Sequence, residues 1–202
     1  DKETAYLHYM IKAYNFISIS DTISKILEYN SIDFEKMDVI CNNLINSLGK
    51  YGYIHLIDLL IQDSKFAKYK NISLYIAIEH NYFEFTQHLL SKYCINVNSQ
   101  IEKNNVIETP LIIAVKNNDV EIAKLLLSYP DIDVNFIPVK MIENEYYLDG
   151  EPALHIAIGN GNLEITKLLL SHKNIDVNCS SKFTYYEMEG QTALHLAVIQ
   201  SE

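Results

Sequence analysis

Seven histidines are the first residues to weigh for chemistry: His8, His55, His80, His88, His155, His172 and His195. A zinc site or a metallohydrolase helix would need two of them at H-x-x-x-H or H-E-x-x-H spacing, and no pair has it. The three cysteines, Cys41, Cys94 and Cys179, form no C-x-x-C pair and have no histidine beside them. Six glycines assemble no phosphate-binding loop, and no G-x-S-x-G elbow presents a serine nucleophile. The acidic pair Glu143 and Glu145 lies in a stretch read as a loop tip, where solvent rather than a pocket surrounds the carboxylates. The expectation is a chain with no catalytic residue, no metal ligand set and no cofactor: not an enzyme.

Charge and composition narrow the partners. The net charge is −10, and all of the cations are lysine, with no arginine. Phosphate recognition leans on cationic patches and on the planar guanidinium fork, so nucleic acid is not expected as a partner. Apolar residues make up 49% of the chain, enough for a sizeable core. No run of 18 apolar residues exists to span a membrane. Unpaired cysteines and the lack of a secretory leader fit a reducing, intracellular (cytoplasmic) setting. The start at Asp1, without Met, reads as a cut piece of something longer.

The elements that must position any site emerge from internal self-similarity. Thr109-Pro110-Leu111-Ile112-Ile113-Ala114-Val115 aligns with Pro152-Ala153-Leu154-His155-Ile156-Ala157-Ile158. Both align with Thr192-Ala193-Leu194-His195-Leu196-Ala197-Val198, and more weakly with Ile72-Ser73-Leu74-Tyr75-Ile76-Ala77-Ile78. From the central alanine to a serine is 14 residues in three copies: Ala77 to Ser91, Ala114 to Ser128, Ala157 to Ser171. Each then closes with Asn96-Val97-Asn98, Asp133-Val134-Asn135 or Asp176-Val177-Asn178. Thr109 is suited to cap a short helix with Pro110 at its first position. Asn117-Asn118 and Gly159-Asn160-Gly161 tolerate the left-handed turn that ends it. A second helix is expected from Glu121 or Glu164, with Ile122, Leu125 and Leu126 on one apolar face. Two such helices cannot bury that face alone and need a neighbouring copy.

The pattern resembles the ankyrin repeat, with its T-P-L-H-x-A helix, second helix and D-V-N link. The resemblance is specific from about residue 71 to 202 and degenerate over 45–70, where Ile54-His55-Leu56-Ile57-Asp58-Leu59-Leu60-Ile61-Gln62 is similar to a second helix. It implies an all-α solenoid of stacked helix-turn-helix pairs with protruding β-hairpin fingers. Residues 1–44 read as a helical N-terminal cap or degenerate repeats, and 45–202 as ankyrin repeats, the last truncated at its first helix. That truncation predicts an apolar, uncovered edge near Leu196 and Ile199. The resemblance assigns His155 and His195 to hydrogen bonds that tie repeats together. It also makes Asn98, Asn135 and Asn178 candidates for hydroxylation, against a plain role in the link turn.

The chain departs from the family in its links. Ala77, Ala114, Ala157 and Ala197 follow one another at 37, 43 and 40 residues, against a family period of about 33. The helix spacing is constant, so the excess lies in the fingers, chiefly 136–149 and 179–189. These are rich in aromatics and methionine, types enriched at protein interfaces.

The resemblance implies a protein-binding module or scaffold that binds another protein through its concave face and extended hairpin fingers; the net charge of −10 adds a mild expectation of a basic partner surface. Its contacts, carried over by position, are the ends of first helices (Glu79, His80, Lys116, Asn117, Gly159, Asn160, with Ile199 and Gln200 in the last copy). To these the fingers add Phe136, Met141, Tyr146, Tyr147, Phe183, Tyr185 and Tyr186. The fingers present these side chains, or pack on one another to extend a sheet, or do both, with one face packed and one free. Two other readings stand beside this one. One is a structural spacer attached to a functional domain elsewhere. The other is an enzyme or small-molecule pocket near the N-terminal cap, around Tyr6, Tyr9, Tyr14, Tyr29, Tyr51, Tyr53, Cys41 and His55.

Overall fold

The computed structural model describes residues 34–199, apart from 63, 104, 143–144 and 184–189. The tyrosines at 6, 9, 14 and 29, finger residues Tyr185 and Tyr186, and Gln200 lie outside the described residues. The chain divides into two compact units, Asp1–His80 and Asn81–Glu202.

In the first unit, helix α1 (Phe34–Lys50) packs on α2 (Ile54–Gln62), and a 3-10 turn (Ser64–Tyr69) leads into α3 (Lys70–Glu79). Cys41, Ile45, Leu48, Ile57, Leu60 and Leu74 are fully buried and form its core. The α1–α3 contact is close at Gly49, where a Cβ would stand 2.0 Å from the Ile76 Cγ2 methyl.

The second unit holds α4 (Phe83–Tyr93), α5 (Pro110–Lys116), α6 (Val120–Leu127), α7 (Ala153–Gly159), α8 (Leu163–Leu170) and α9 (Ala193–Ile199). First helices stack in the series α5, α7, α9, and second helices in the series α4, α6, α8. This is the expected all-α repeat solenoid. The local grammar repeats with it. Asn81, Asn118 and Gly161, equivalent in the three copies, have φ of 57°, 57° and 67°. At Asn118 and Gly161 the next amide donates back to a buried alanine carbonyl: Asp119 N to Ala114 O, and Asn162 N to Ala157 O, both at 3.0 Å. That six-residue closure satisfies orphan carbonyls at the helix end. The next residue opens the second helix: Asp119 Oδ1 accepts from Ile122 N (2.9 Å), and Asn162 Oδ1 from Ile165 N (3.0 Å). These caps place the second helices one residue earlier than Glu121 and Glu164 suggest.

The fingers form β1 (Ile101–Lys103), β2 (Val106–Glu108), β3 (Val139–Ile142), β4 (Glu145–Gly150) and β5 (Lys182–Phe183). They join edge to edge in one antiparallel sheet of order β1-β2-β3-β4-β5. Within fingers, Ile101 pairs Glu108 and Met141 pairs Tyr146. Between fingers, Ile107 pairs Val139 and Asp149 pairs Phe183. The fingers thus extend a sheet, as one of these readings expects.

Candidate functional site

The first-helix ends lie at the surface. His80, Lys116, Asn117, Gly159 and Asn160 are exposed and Glu79 is half-buried. They are not all idle. Lys116 Nζ pairs with Glu108 Oε1, tying the end of α5 to strand β2. Asn117 Nδ2 donates to Asn81 Oδ1 (3.3 Å), and Asn160 Nδ2 to Asn118 Oδ1 (3.3 Å) and Val115 O (3.4 Å). Asparagines at this turn thus bond to the turn of the preceding copy. At 3.3–3.4 Å these are long hydrogen bonds between neighbouring turns.

The finger residues are placed by the sheet. Phe136 is half-buried at the root of the second finger. Met141 stands opposite Tyr146, Lys140 opposite Tyr147, and Phe183 opposite Asp149. The sheet therefore gathers Met141, Tyr146, Tyr147 and Phe183 onto three adjoining strands.

A second asparagine row joins the links, and here the local and the long-range roles separate. The first residue of each D-x-N or N-x-N triplet makes the local turn. Asn96 Oδ1 accepts from Asn98 N, Asp133 Oδ1 from Asn135 N, and Asp176 Oδ1 from Asn178 N, at 2.9, 3.0 and 2.9 Å. The last residue reaches forward by one copy. Asn98 Nδ2 donates to Asp131 O (2.7 Å) while its Oδ1 accepts from Asp133 N (2.8 Å). Asn135 does the same with Asn174 O (2.8 Å) and Asp176 N (2.9 Å). The link turn expected of these asparagines is made by the side chain two residues before each; Asn98 and Asn135 clamp repeats instead.

The histidines also split into parts. His155 is 1% exposed, and its Nε2 meets Gln191 O at 2.7 Å. A carbonyl partner requires the proton on Nε2, leaving Nδ1 as an acceptor. In the last copy that acceptor is used: the Thr192 hydroxyl meets His195 Nδ1 at 2.7 Å. One copy earlier, Pro152 stands in the threonine's place, and His155 Nδ1 is buried without a partner. Two copies earlier the mismatch is reversed. Thr109 keeps its hydroxyl, but Ile112 replaces the histidine, and Thr109 Oγ1 is buried without a partner. Thr109 has the backbone of a cap, yet its side chain makes no cap bond. Each orphan costs about 1–3 kcal/mol. Pro152 has extended ψ (159°), close to that of Thr109 (161°), so threonine fits there. Pro152→Thr should stabilise by about 1 kcal/mol, after loss of proline's restriction of the unfolded chain. Urea denaturation measures it; unchanged stability would mean that the new hydroxyl does not reach His155.

Around the proposed N-terminal pocket, Cys41 is fully buried, Tyr51 and Tyr53 are half-buried, and His55 is exposed. Cys41 and His55 therefore do not open to the same environment. Among the described residues no three of His, Cys, Asp and Glu are grouped to hold a metal. No described helix is long and apolar enough to cross a membrane.

A search of curated proteins finds no match to the chain. The family model for ankyrin repeats (3 copies) matches residues 41–138 and 137–202. With that match, the helix-pair stack and the repeated turns and clamps, the chain belongs to the ankyrin repeat family.

Proposed function

We propose that this chain is a protein-binding module whose partner lies against the finger sheet and the exposed ends of the first helices. Ankyrin repeats are generally protein–protein interaction modules and typically non-enzymatic. The observation that carries the reading is the continuous five-stranded sheet. Isolated fingers would lose conformational entropy on docking; fingers already paired with one another have little left to lose. Lys116 is tied to strand β2 through Glu108, and Asn117, Gly159 and Asn160 stand exposed at the first-helix ends. The net charge of −10 favours a partner of basic surface, and steering by it weakens with salt. An intracellular setting belongs to the same proposal and rests on the odd number and wide spacing of the three cysteines.

The test is affinity capture from source-cell lysate, with Tyr146→Ala/Tyr147→Ala as the control bait. The expected result is loss of the captured partner, with stability within about 0.5 kcal/mol of native, the range of surface substitutions. Inter-finger pairing also suits a second reading, a spacer whose fingers serve only its own rigidity. That reading predicts the opposite: a fall in melting temperature and no partner to lose.

A further inference from the structure

A charge pair on the first helices is complete in one copy and half missing in the next. Glu108, one residue before the cap of α5, pairs with Lys116 in the last turn of that helix. Long helical side chains lean toward the N-terminus, which lets Lys116 reach a carboxylate eight residues earlier. The counterparts 43 residues on are Glu151 and Gly159. In the last copy they are Gln191 and Ile199, neither of them charged. The middle copy therefore keeps the acid without its cation. Glu151 is half-buried, and among the described residues its carboxylate makes no hydrogen bond or ion pair. At Gly159, where the lysine stem would begin, nothing lies within 4 Å of the position of a Cβ. Both flanks of this notch are in place, since α7 packs against α5 on one side and α9 on the other.

We propose that the notch at Gly159 is a subsite for one basic side chain of a partner protein, a lysine or arginine whose cation pairs with the Glu151 carboxylate. Charge complementarity specifies the occupant, and the preceding copy shows the pair made from within the chain. There the cation is already engaged by its own acid, so the uncompensated charge of this row is that of Glu151. Folding has already withdrawn part of that carboxylate from water, and a bound cation recovers the lost interaction. The carboxylate also stands on fixed backbone. Gly150 pairs with Lys182 in the sheet, and its Cβ position lies 2.7 Å from Pro138 Cβ. Pro152 then holds residue 151 to extended backbone. Little ordering entropy is left to lose on binding. The proposal rests on the protein-binding reading and gives it one definite contact, which does not require the aromatic side chains of the fingers.

Short random peptides displayed on phage and selected on the 202-residue chain test this. The selected peptides should share a lysine or arginine. Norleucine in its place keeps an aliphatic stem and drops the charge. That change should weaken binding to the native chain about three- to tenfold and leave binding to Glu151→Gln nearly unchanged. Gly159→Lys supplies the cation from within, so it should weaken the same peptides by a similar factor. It should also raise the melting temperature by about 1–3 °C over Gly159→Ala, and adding Glu151→Gln should remove that rise. An equal loss from norleucine on the native chain and on Glu151→Gln would overturn the proposal, as would binders without a basic residue. Binders that need Tyr146 and Tyr147 but ignore Glu151 would overturn it as well, while leaving the protein-binding reading in place. A chain that selects no peptide would remove both.

Discussion

Gly190→Ala should lower stability by about 3 kcal/mol, the largest effect expected of any single methyl group added to this chain. The reason is backbone proximity. A Cβ at 190 would stand 1.3 Å from the carbonyl oxygen of Ser181 and 2.5 Å from its carbon. No rotamer relieves that, because the obstacle is main chain. The two chain segments at the root of the third finger must part. Ser181 N then loses Gln191 O (2.9 Å), and Gln191 N loses Ser181 Oγ (3.1 Å). The isolated bridge between Ser180 and Thr192 lies one residue further on. Gln191 O is also the acceptor for buried His155, so the disturbance enters the core of α7. A fall of roughly 6–12 °C in melting temperature follows from the usual scaling for a chain of this size. Gly159→Ala is the control: nothing lies within 4 Å of its Cβ, and its helical position favours alanine by about 0.5–1 kcal/mol. Near-native melting of the Gly190 variant, with Ser181 and Gln191 amides still protected from exchange, would refute the account.

The close approach at Gly190 also shows where sequence reading stops. Helices were legible because their signals are local. The constant step from Ala77 to Ser91, from Ala114 to Ser128 and from Ala157 to Ser171 follows from two helices and one turn of fixed length. The positive φ at Asn118 and Gly161 falls within the turns read from residue type. The caps are equally local: Asp119 and Asn162 directly precede the second helices, and the acid two residues later in each copy marks the boundary one residue late. Finger pairing is different in kind. Ile107 finds Val139 across 31 intervening residues, and Asp149 finds Phe183 across 33. The two-residue β5 carries no periodic pattern from which register could be read.

The candidate site was legible to the same depth. Position in the repeat placed Lys116, Asn117, Gly159 and Asn160 at exposed helix ends, as surface chemistry requires. It could not show that Lys116 is tied to Glu108, or that Asn117 and Asn160 reach toward Asn81 and Asn118. Such pairs join different copies, and spacing within one copy is blind to them. The Thr–His pair illustrates the reverse case. Its two halves sit three residues apart, so Pro152 beside His155 and Ile112 beside Thr109 were on view. The cost of each missing half became visible only with the burial of Thr109 Oγ1 and His155 Nδ1.

Asn135→Ala should destabilise the second unit by about 2 kcal/mol, while Asn178→Ala should change it by less than about 0.5 kcal/mol. The two residues close the same motif, Asp-Val-Asn, and sequence treats them alike. Asn135 spans two copies with two bonds, one donated to Asn174 O and one accepted from Asp176 N. Alanine removes both and leaves a carbonyl and an amide of the next link without their partner. These groups are partly solvated, so water recovers part of the loss and holds the cost near two ordinary hydrogen bonds. Among the described residues, Asn178 makes only the local bond from its backbone amide to Asp176 Oδ1, which alanine retains. The form of the unfolding curve should differ as well. In a stack whose parts touch only their neighbours, stability is a sum of repeat and interface contributions, and weakening one interface loosens cooperativity there. Asn135→Ala should therefore broaden the urea transition and expose amides of α7–α8 to exchange ahead of those in α5–α6. Asn98→Ala should act likewise one copy earlier, since Asn98 holds Asp131 O and Asp133 N. Equal effects at positions 135 and 178 would show that the motif stabilises its own turn alone, and the clamp would lose its energetic meaning.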